Sequence, residues 1–209
     1  FSMLLQACGG GSSGGDSAVS DSVIVVEEPQ LTTTSFELVW SDEFDSATLD
    51  TSKWDVQLGD GSSEGTPGWG NAELQYYTAD NLSLAEGNLI ITARVGDSPD
   101  SHFDFTSARI RTQGNFDFTY GRVEASIKMP EGLGLWGAFW LLGSEPSPYG
   151  VWAGKGEIDI LESFGRETSF AQAAMHYGMQ YPFNVFSHKA RESVDPTDGF
   201  HQYAVEWDA

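Results

Sequence analysis

The chain has 209 residues, of which 40% are apolar and 13% aromatic, enough for one well-cored domain. Its 31 acidic and 10 basic residues leave a formal net charge of -21, a field that repels nucleic acid and anionic membrane surfaces and makes a neutral polymer an easier substrate than a sulfated or uronate one. One cysteine, Cys8, excludes a disulfide framework within the chain.

From the first residue onward, Leu5-Gln6-Ala7-Cys8 followed by Gly9 to Gly11 resembles a bacterial lipobox, with Cys8 as the lipidated residue. Only seven residues precede Cys8, whereas the apolar region of a signal peptide runs about 7 to 15 residues after a basic start. We therefore expect residues 1–8 to be the end of a truncated signal and 9–35 to be a Gly/Ser-rich flexible linker. The domain is expected over 36–209, and no segment is long enough to span a membrane as a helix.

Within the domain the patterning is that of strands. Leu89, Ile91, Ala93 and Val95 alternate with their neighbours, and Val123, Ala125, Ile127 and Met129 alternate with Arg122, Glu124, Ser126 and Lys128. Gly-rich stretches at 59–70, 132–134 and 143–156 mark turns or long loops, and no helical period is present. In Trp136-Gly137-Ala138-Phe139-Trp140 an extended chain puts both Trp on one face with the small Ala138 between, which makes a sugar platform or a packed core edge. His201 to Trp207 reads as a strand with Tyr203, Val205 and Trp207 on one face. Short strands and turns of this kind imply an all-β antiparallel sandwich.

The segment Gly156-Glu157-Ile158-Asp159-Ile160-Leu161-Glu162-Ser163 carries three carboxylates separated only by apolar side chains. Period two puts Glu157 and Asp159 on one face and Glu162 on the other, and one extra residue taken up as a β-bulge returns Glu162 to the shared face. Two carboxyl groups about 5 to 5.5 Å apart suit a retaining glycosidase, one as nucleophile and one as acid/base. Crowding the acids raises at least one pKa, because like charges disfavour ionisation. The alternatives are an acidic edge strand and a metal site, although the segment lacks the Gly and Asn/Asp loops of hard-cation sites.

Glu-Ile-Asp-Ile-Leu-Glu resembles the bulged Glu-x-Asp-x-x-Glu signature of glycoside hydrolase family 16, laminarinase-like β-glucanases. The blocks Leu38 to Asp45, Trp69 to Tyr77, Ser107 to Ile110 and Leu135 to Trp140 are similar to family blocks in family order, so the resemblance covers residues 36 to 209. It implies a concanavalin-like jelly roll whose concave face holds the sugar, and family members continue for several strands past Trp207, so we expect the sandwich to be incomplete at its C-terminus. It implies Glu157 as nucleophile, Glu162 as acid/base and Asp159 as the residue that orients and tunes them. Asn71, Arg109, Trp136, Trp140, Trp152 and His176 match substrate-binding or acid-orienting positions. The alternatives are a turn role for Asn71, a structural pairing of Arg109 with a buried acid and a structural role for His176. Gly137 stands where the family usually has Pro.

A structural Ca²⁺ is implied at Glu43 and the Gly87 carbonyl, with no cofactor for catalysis. The expected activity is endo-hydrolysis, with retention, of β-1,3 bonds in laminarin-like or mixed-linkage glucans by an exported, lipid-anchored monomer whose only membrane contact is through Cys8. The rivals are cleavage of agar or carrageenan, transglycosylation, and a glucan-binding module without catalysis. Retention of Glu157, Asp159 and Glu162 argues against the last.

Overall fold

The computed structural model describes residues 36–144, 147–192 and 194–209. The expected lipobox and linker over residues 1–35 lie outside the described residues. In chain order the strands are β1 (Asp55–Gln57), β2 (Gln75–Tyr77), β3 (Leu82–Ala85), β4 (Asn88–Ile91), β5 (Arg94–Val95), β6 (Phe105–Ser107), β7 (Arg109–Arg111), β8 (Gly121–Ile127), β9 (Trp136–Leu142), β10 (Glu157–Phe164), β11 (Phe170–Tyr177), β12 (Val185–Glu192) and β13 (His201–Trp207). Three short 3₁₀ turns, at Ser62–Glu64, Pro67–Gly70 and Ala79–Asn81, are the only helical pieces among the described residues. The chain is all-β, as its alternation and turn signals require.

The largest sheet is antiparallel in the order β12-β11-β10-β9, and a second ribbon pairs β13 with β8. The two pack through Leu161, which is 1% exposed and sits with Met129 and Ala171 against Ile127, Phe139 and Tyr203. Alternation in β8 is as expected: Val123, Ala125 and Ile127 are half-buried while Arg122, Glu124 and Ser126 are exposed. In β13, Tyr203 opposes Ala125 and Val205 opposes Val123, so the inward faces of the ribbon coincide.

Two local expectations change. The alternating run 89–95 is not one strand: β4 pairs with β3, the chain breaks at Thr92 and Ala93, and β5 pairs instead with β6. At the break Asn81, 1% exposed, holds both backbone groups of Thr92: its side-chain amide donates to the Thr92 carbonyl at 2.6 Å and its backbone carbonyl accepts from the Thr92 N–H at 2.9 Å. One pairing, β2 with β6, is parallel rather than antiparallel.

Gly137 lies inside β9, opposite Ser163. A Cβ there would stand 2.7 Å from Met129 Sδ. The missing side chain is therefore filled by a core methionine, which gives the glycine a packing reason.

Candidate active site

Strand β10 carries the acids, and its register shows how they come together. On the β9 side Asp159 opposes Trp140 while Leu161 opposes Phe139, so Ile160 is an extra residue. On the β11 side Glu157 opposes His176, Asp159 opposes Ala174 and Glu162 opposes Gln172, with the same irregularity between Asp159 and Glu162. This is the bulge that the spacing demanded. It sends Leu161 into the core and returns Glu162 to the face of Glu157 and Asp159. Asp159 and Glu162 are buried and Glu157 is half-buried.

Burying carboxylates is costly unless donors meet them. Glu157 Oε2 accepts from Trp152 Nε1 at 2.8 Å. Glu162 accepts twice, at Oε1 from Trp136 Nε1 at 3.0 Å and at Oε2 from Gln172 Nε2 at 2.9 Å. Each outer acid therefore receives one indole N–H. His176 Nε2 lies 3.7 Å from Asp159 Oδ2 and 4.0 Å from Glu157 Oε1. Its ring stacks on Phe186 and tilts against Trp152, with centroids 4.7 and 5.3 Å apart.

Burial pushes the Asp159 carboxyl up to about 7, and the charges of Glu157 and Glu162 push in the same direction. Burial also raises Glu157, against the Trp152 hydrogen bond and the charge of His176, which lower it. The expected rise from crowding is present, but desolvation is its larger cause. The row thus holds a carboxyl that is half protonated near neutrality between two others.

The remaining expected residues divide. Trp136 and Trp152 reach the acids through their indole nitrogens and stay 46% and 37% exposed, so each leaves ring area open beside them. Trp140 faces Arg109, whose guanidinium lies between two indoles, 4.8 Å from the Trp140 centroid and 4.6 Å from that of Trp69. Arg109 Nε also donates to Gln57 Oε1 at 2.6 Å, and its Nη1 is 3.9 Å from Glu73 Oε1. Of its two readings, pairing with a buried acid is the one these contacts match. Asn71 is exposed and its amide meets Glu73 at 3.4 Å, not the row of Glu157, Asp159 and Glu162.

Glu73 collects the Asn71 and Gln75 amides and the Tyr77 hydroxyl, the last at 2.6 Å. Burial and that bond push the Tyr77 hydroxyl well above its usual range, so it remains a donor. Glu73, Gln172 and Phe186 escaped sequence reasoning. Period two along β11 does put Gln172 with His176, but only the pairing with β10 shows that the shared face is the acidic one.

Among the described residues, Glu157, Asp159 and His176 form the one group of three whose metal-ligating atoms all lie within 4.8 Å of one another. Two carboxylates and an imidazole are a donor set that serves proton transfer as well as a cation. At the expected calcium position, a Cβ on Gly87 would stand 3.3 Å from Asp45 Oδ1 and 3.9 Å from the Glu43 carbonyl. The two expected residues are therefore neighbours, and Asp45 adds an oxygen of the kind a hard cation takes.

The sequence and the fold recur in known proteins. The chain is 38% identical over 184 residues to glucan endo-1,3-beta-glucosidase A1 of Niallia circulans, an alignment covering 82% of this chain and 27% of that one. It is 39% identical over 180 residues to a beta-glucanase of Rhodothermus marinus, covering 82% of this chain and 59% of the relative. The chain thus spans about a quarter to three fifths of these relatives. The laminarinase catalytic domain of Thermotoga maritima superposes with a TM-score of 0.74 at 37% identity, covering 82% of this chain and 70% of that one, and supports the jelly-roll assignment. Residues 63–209 match the sequence pattern of glycosyl hydrolases family 16, and the chain belongs to that family.

Proposed function

We propose that the chain is the catalytic region of an endo-acting β-glucanase that cleaves β-1,3 bonds in laminarin-like or mixed-linkage glucans with retention of configuration. The observation that carries this reading is the bulged row of Glu157, Asp159 and Glu162, in which each outer glutamate is oriented by an indole N–H. Ionised Glu157 attacks the anomeric carbon as the C1–O bond breaks, and Glu162 gives its proton to the departing oxygen. Water then attacks C1, loses a proton to Glu162 and releases Glu157. Asp159, holding a proton near neutrality, limits the charge between them. In this reading Trp136, Trp140 and Trp152 wall the sugar site, His176 and Arg109 orient it, and Asn71 binds a sugar hydroxyl. A relative named as a glucan endo-1,3-beta-glucosidase and a solved domain named as a laminarinase support the linkage.

The test is chemical rescue alongside a polymer panel. Glu157→Ala is expected to lose laminarin hydrolysis and to regain turnover with azide, giving the inverted glycosyl azide. Glu162→Ala is expected to give the retained one. Unchanged hydrolysis by Glu157→Gln removes Glu157 from the mechanism, and reducing ends released from agar alone overturn the glucan assignment.

We also propose export and lipid anchoring through Cys8. Incorporation of a labelled fatty acid that persists in Cys8→Ser would sink that idea. Calcium held by Glu43 and Gly87, with Asp45, would tie the segment before β1 to the β3–β4 turn and take no part in the chemistry. A melting temperature unmoved by a chelator counts against it.

A further inference from the structure

Glu162 accepts from two groups of different capability. Trp136 Nε1 meets Oε1 at 3.0 Å, and an indole nitrogen can only donate. Gln172 Nε2 meets Oε2 at 2.9 Å, and a primary amide presents a donor on one side and an acceptor on the other. When Glu162 is protonated its two oxygens become unequal. The carbonyl oxygen remains the strong acceptor and the hydroxyl oxygen becomes a donor. A proton on Oε1 would weaken the bond from an indole that has nothing else to offer. A proton on Oε2 leaves that bond intact and needs only an acceptor opposite it, which the Gln172 amide supplies by turning over about its last torsion.

The register makes this pairing a fixed feature of the sheet, because Gln172 stands directly opposite Glu162 across the β10–β11 ladder. Ala190 follows it on β12. Gln172 is half-buried.

We propose that Gln172 is a positioning residue that assigns the acid proton of Glu162 to Oε2, its amide oxygen accepting from the protonated acid and its NH₂ donating to the carboxylate once the proton has left. The cycle balances without any further reactant. In the first step the Oε2 hydroxyl turns from the Gln172 amide oxygen to the glycosidic oxygen, the Oε2–H bond breaks, the proton goes to that oxygen and it takes the C1–O electron pair as Glu157 bonds to C1. The Gln172 amide then turns to donate to the new carboxylate. In the second step water bonds to C1, the C1–Glu157 bond breaks, and the proton from water returns to Oε2 as the amide turns back.

This inference rests on the acid/base assignment of Glu162, and the experiment separates the two. Laminarin needs its leaving oxygen protonated, whereas an aryl β-laminarioside with a dinitrophenol leaving group does not. Gln172→Met, close in shape and without amide chemistry, is expected to lose about 10- to 100-fold in kcat/KM on laminarin and less than about 3-fold in the glycosylation step of the aryl substrate. Glu162→Ala is expected to show the same selectivity more strongly. Equal losses on both substrates in Gln172→Met, or none on either, overturn the role of Gln172 while leaving Glu162 in place. Loss of selectivity in Glu162→Ala itself overturns the underlying assignment. Should Gln172→Met fail to fold, Gln172→Glu keeps the shape and places a second carboxylate at Oε2. The basic limb of kcat/KM on laminarin is then expected to move to higher pH, and an unmoved limb overturns the proposal.

Discussion

Trp152 donates its indole N–H to Glu157 Oε2 at 2.8 Å, reaching back from the loop that precedes β10. The bond favours the ionised carboxylate against the burial that disfavours it. Trp152→Phe keeps an aromatic ring beside His176 and Tyr181 while it deletes the donor and trims the second ring. A hydrogen bond to a charged group is worth about 1.5–3 kcal/mol. The acid limb of kcat/KM is therefore expected to move to higher pH, with a loss on the order of 10-fold below that limb and a smaller one above it. The same loss at every pH would show that Trp152 acts through packing alone.

Asp159 gives a second pH signature, in stability. Its carboxyl is pushed from 3.8 up to about 7 in the folded protein, so the folded state binds this proton more tightly than the unfolded chain does. Stability contributed by the group is full below its unfolded value and is lost as pH rises through about 7. Asn is a neutral near-isostere of the protonated form and escapes that loss. The melting temperature of Asp159→Asn minus that of the parent is expected to be near zero at about pH 4, to grow up to about pH 7 and then to level. Laminarin hydrolysis is expected to fall by about 10-fold or more over the same range, a stability–activity trade at a functional acid. A difference in melting temperature that is flat from about pH 4 to 8 would contradict the raised carboxyl.

What the sequence carries well is what depends on neighbours along the chain. Alternation over 122–129 and 201–207 fixed which side chains face the core, and the spacing of Glu157, Asp159 and Glu162 required a bulge that the β9 and β11 registers contain. What it carries poorly is the choice of partner. Nothing local in Leu89 to Val95 shows that a buried amide 11 residues away, Asn81, takes the Thr92 carbonyl where the run breaks. Arg109 matches a sugar-binding or acid-orienting position from its block, and only the fold shows that Gln57, 52 residues earlier, and two Trp rings meet it. Gln172 has no signal of its own until β11 is laid beside β10.

Arg109 is therefore expected to act on the cleft through Trp140. Each guanidinium–indole contact is worth about 0.5–2 kcal/mol, and the guanidinium has one on either side. Arg109→Ala frees Trp140 and leaves Glu73 without a cation, so KM for laminarin is expected to rise about 10-fold, with a smaller change in kcat and a stability loss of roughly 1–3 kcal/mol. Arg109→Lys keeps the charge but not the plane that stacks between two rings, and is expected to recover less than half of the KM effect. Full recovery by Lys would mean that charge alone matters at this position. Steady-state kinetics on laminarin with denaturant melts of the three proteins makes the comparison.

Gly137 offers a test of how tightly the acid strand is backed. It sits on β9 opposite Ser163, next to the Ala138–Glu162 pair, and a Cβ there would stand 2.7 Å from Met129 Sδ and 3.5 Å from Pro130 Cδ. Met129 is 5% exposed and packs in the cluster of Leu161, the residue that the bulge turns inward. Gly137→Ala therefore pushes the thioether into a filled core and is expected to cost about 1–3 kcal/mol by overpacking. Met129→Ala alone leaves a cavity and is expected to cost about 2–5 kcal/mol. Combined, the two changes are expected to cost less than their sum by about 1 kcal/mol, because the new methyl enters the space the methionine has left. Denaturant melts of the four proteins measure that coupling, and strictly additive costs would show that the methionine moves aside without strain.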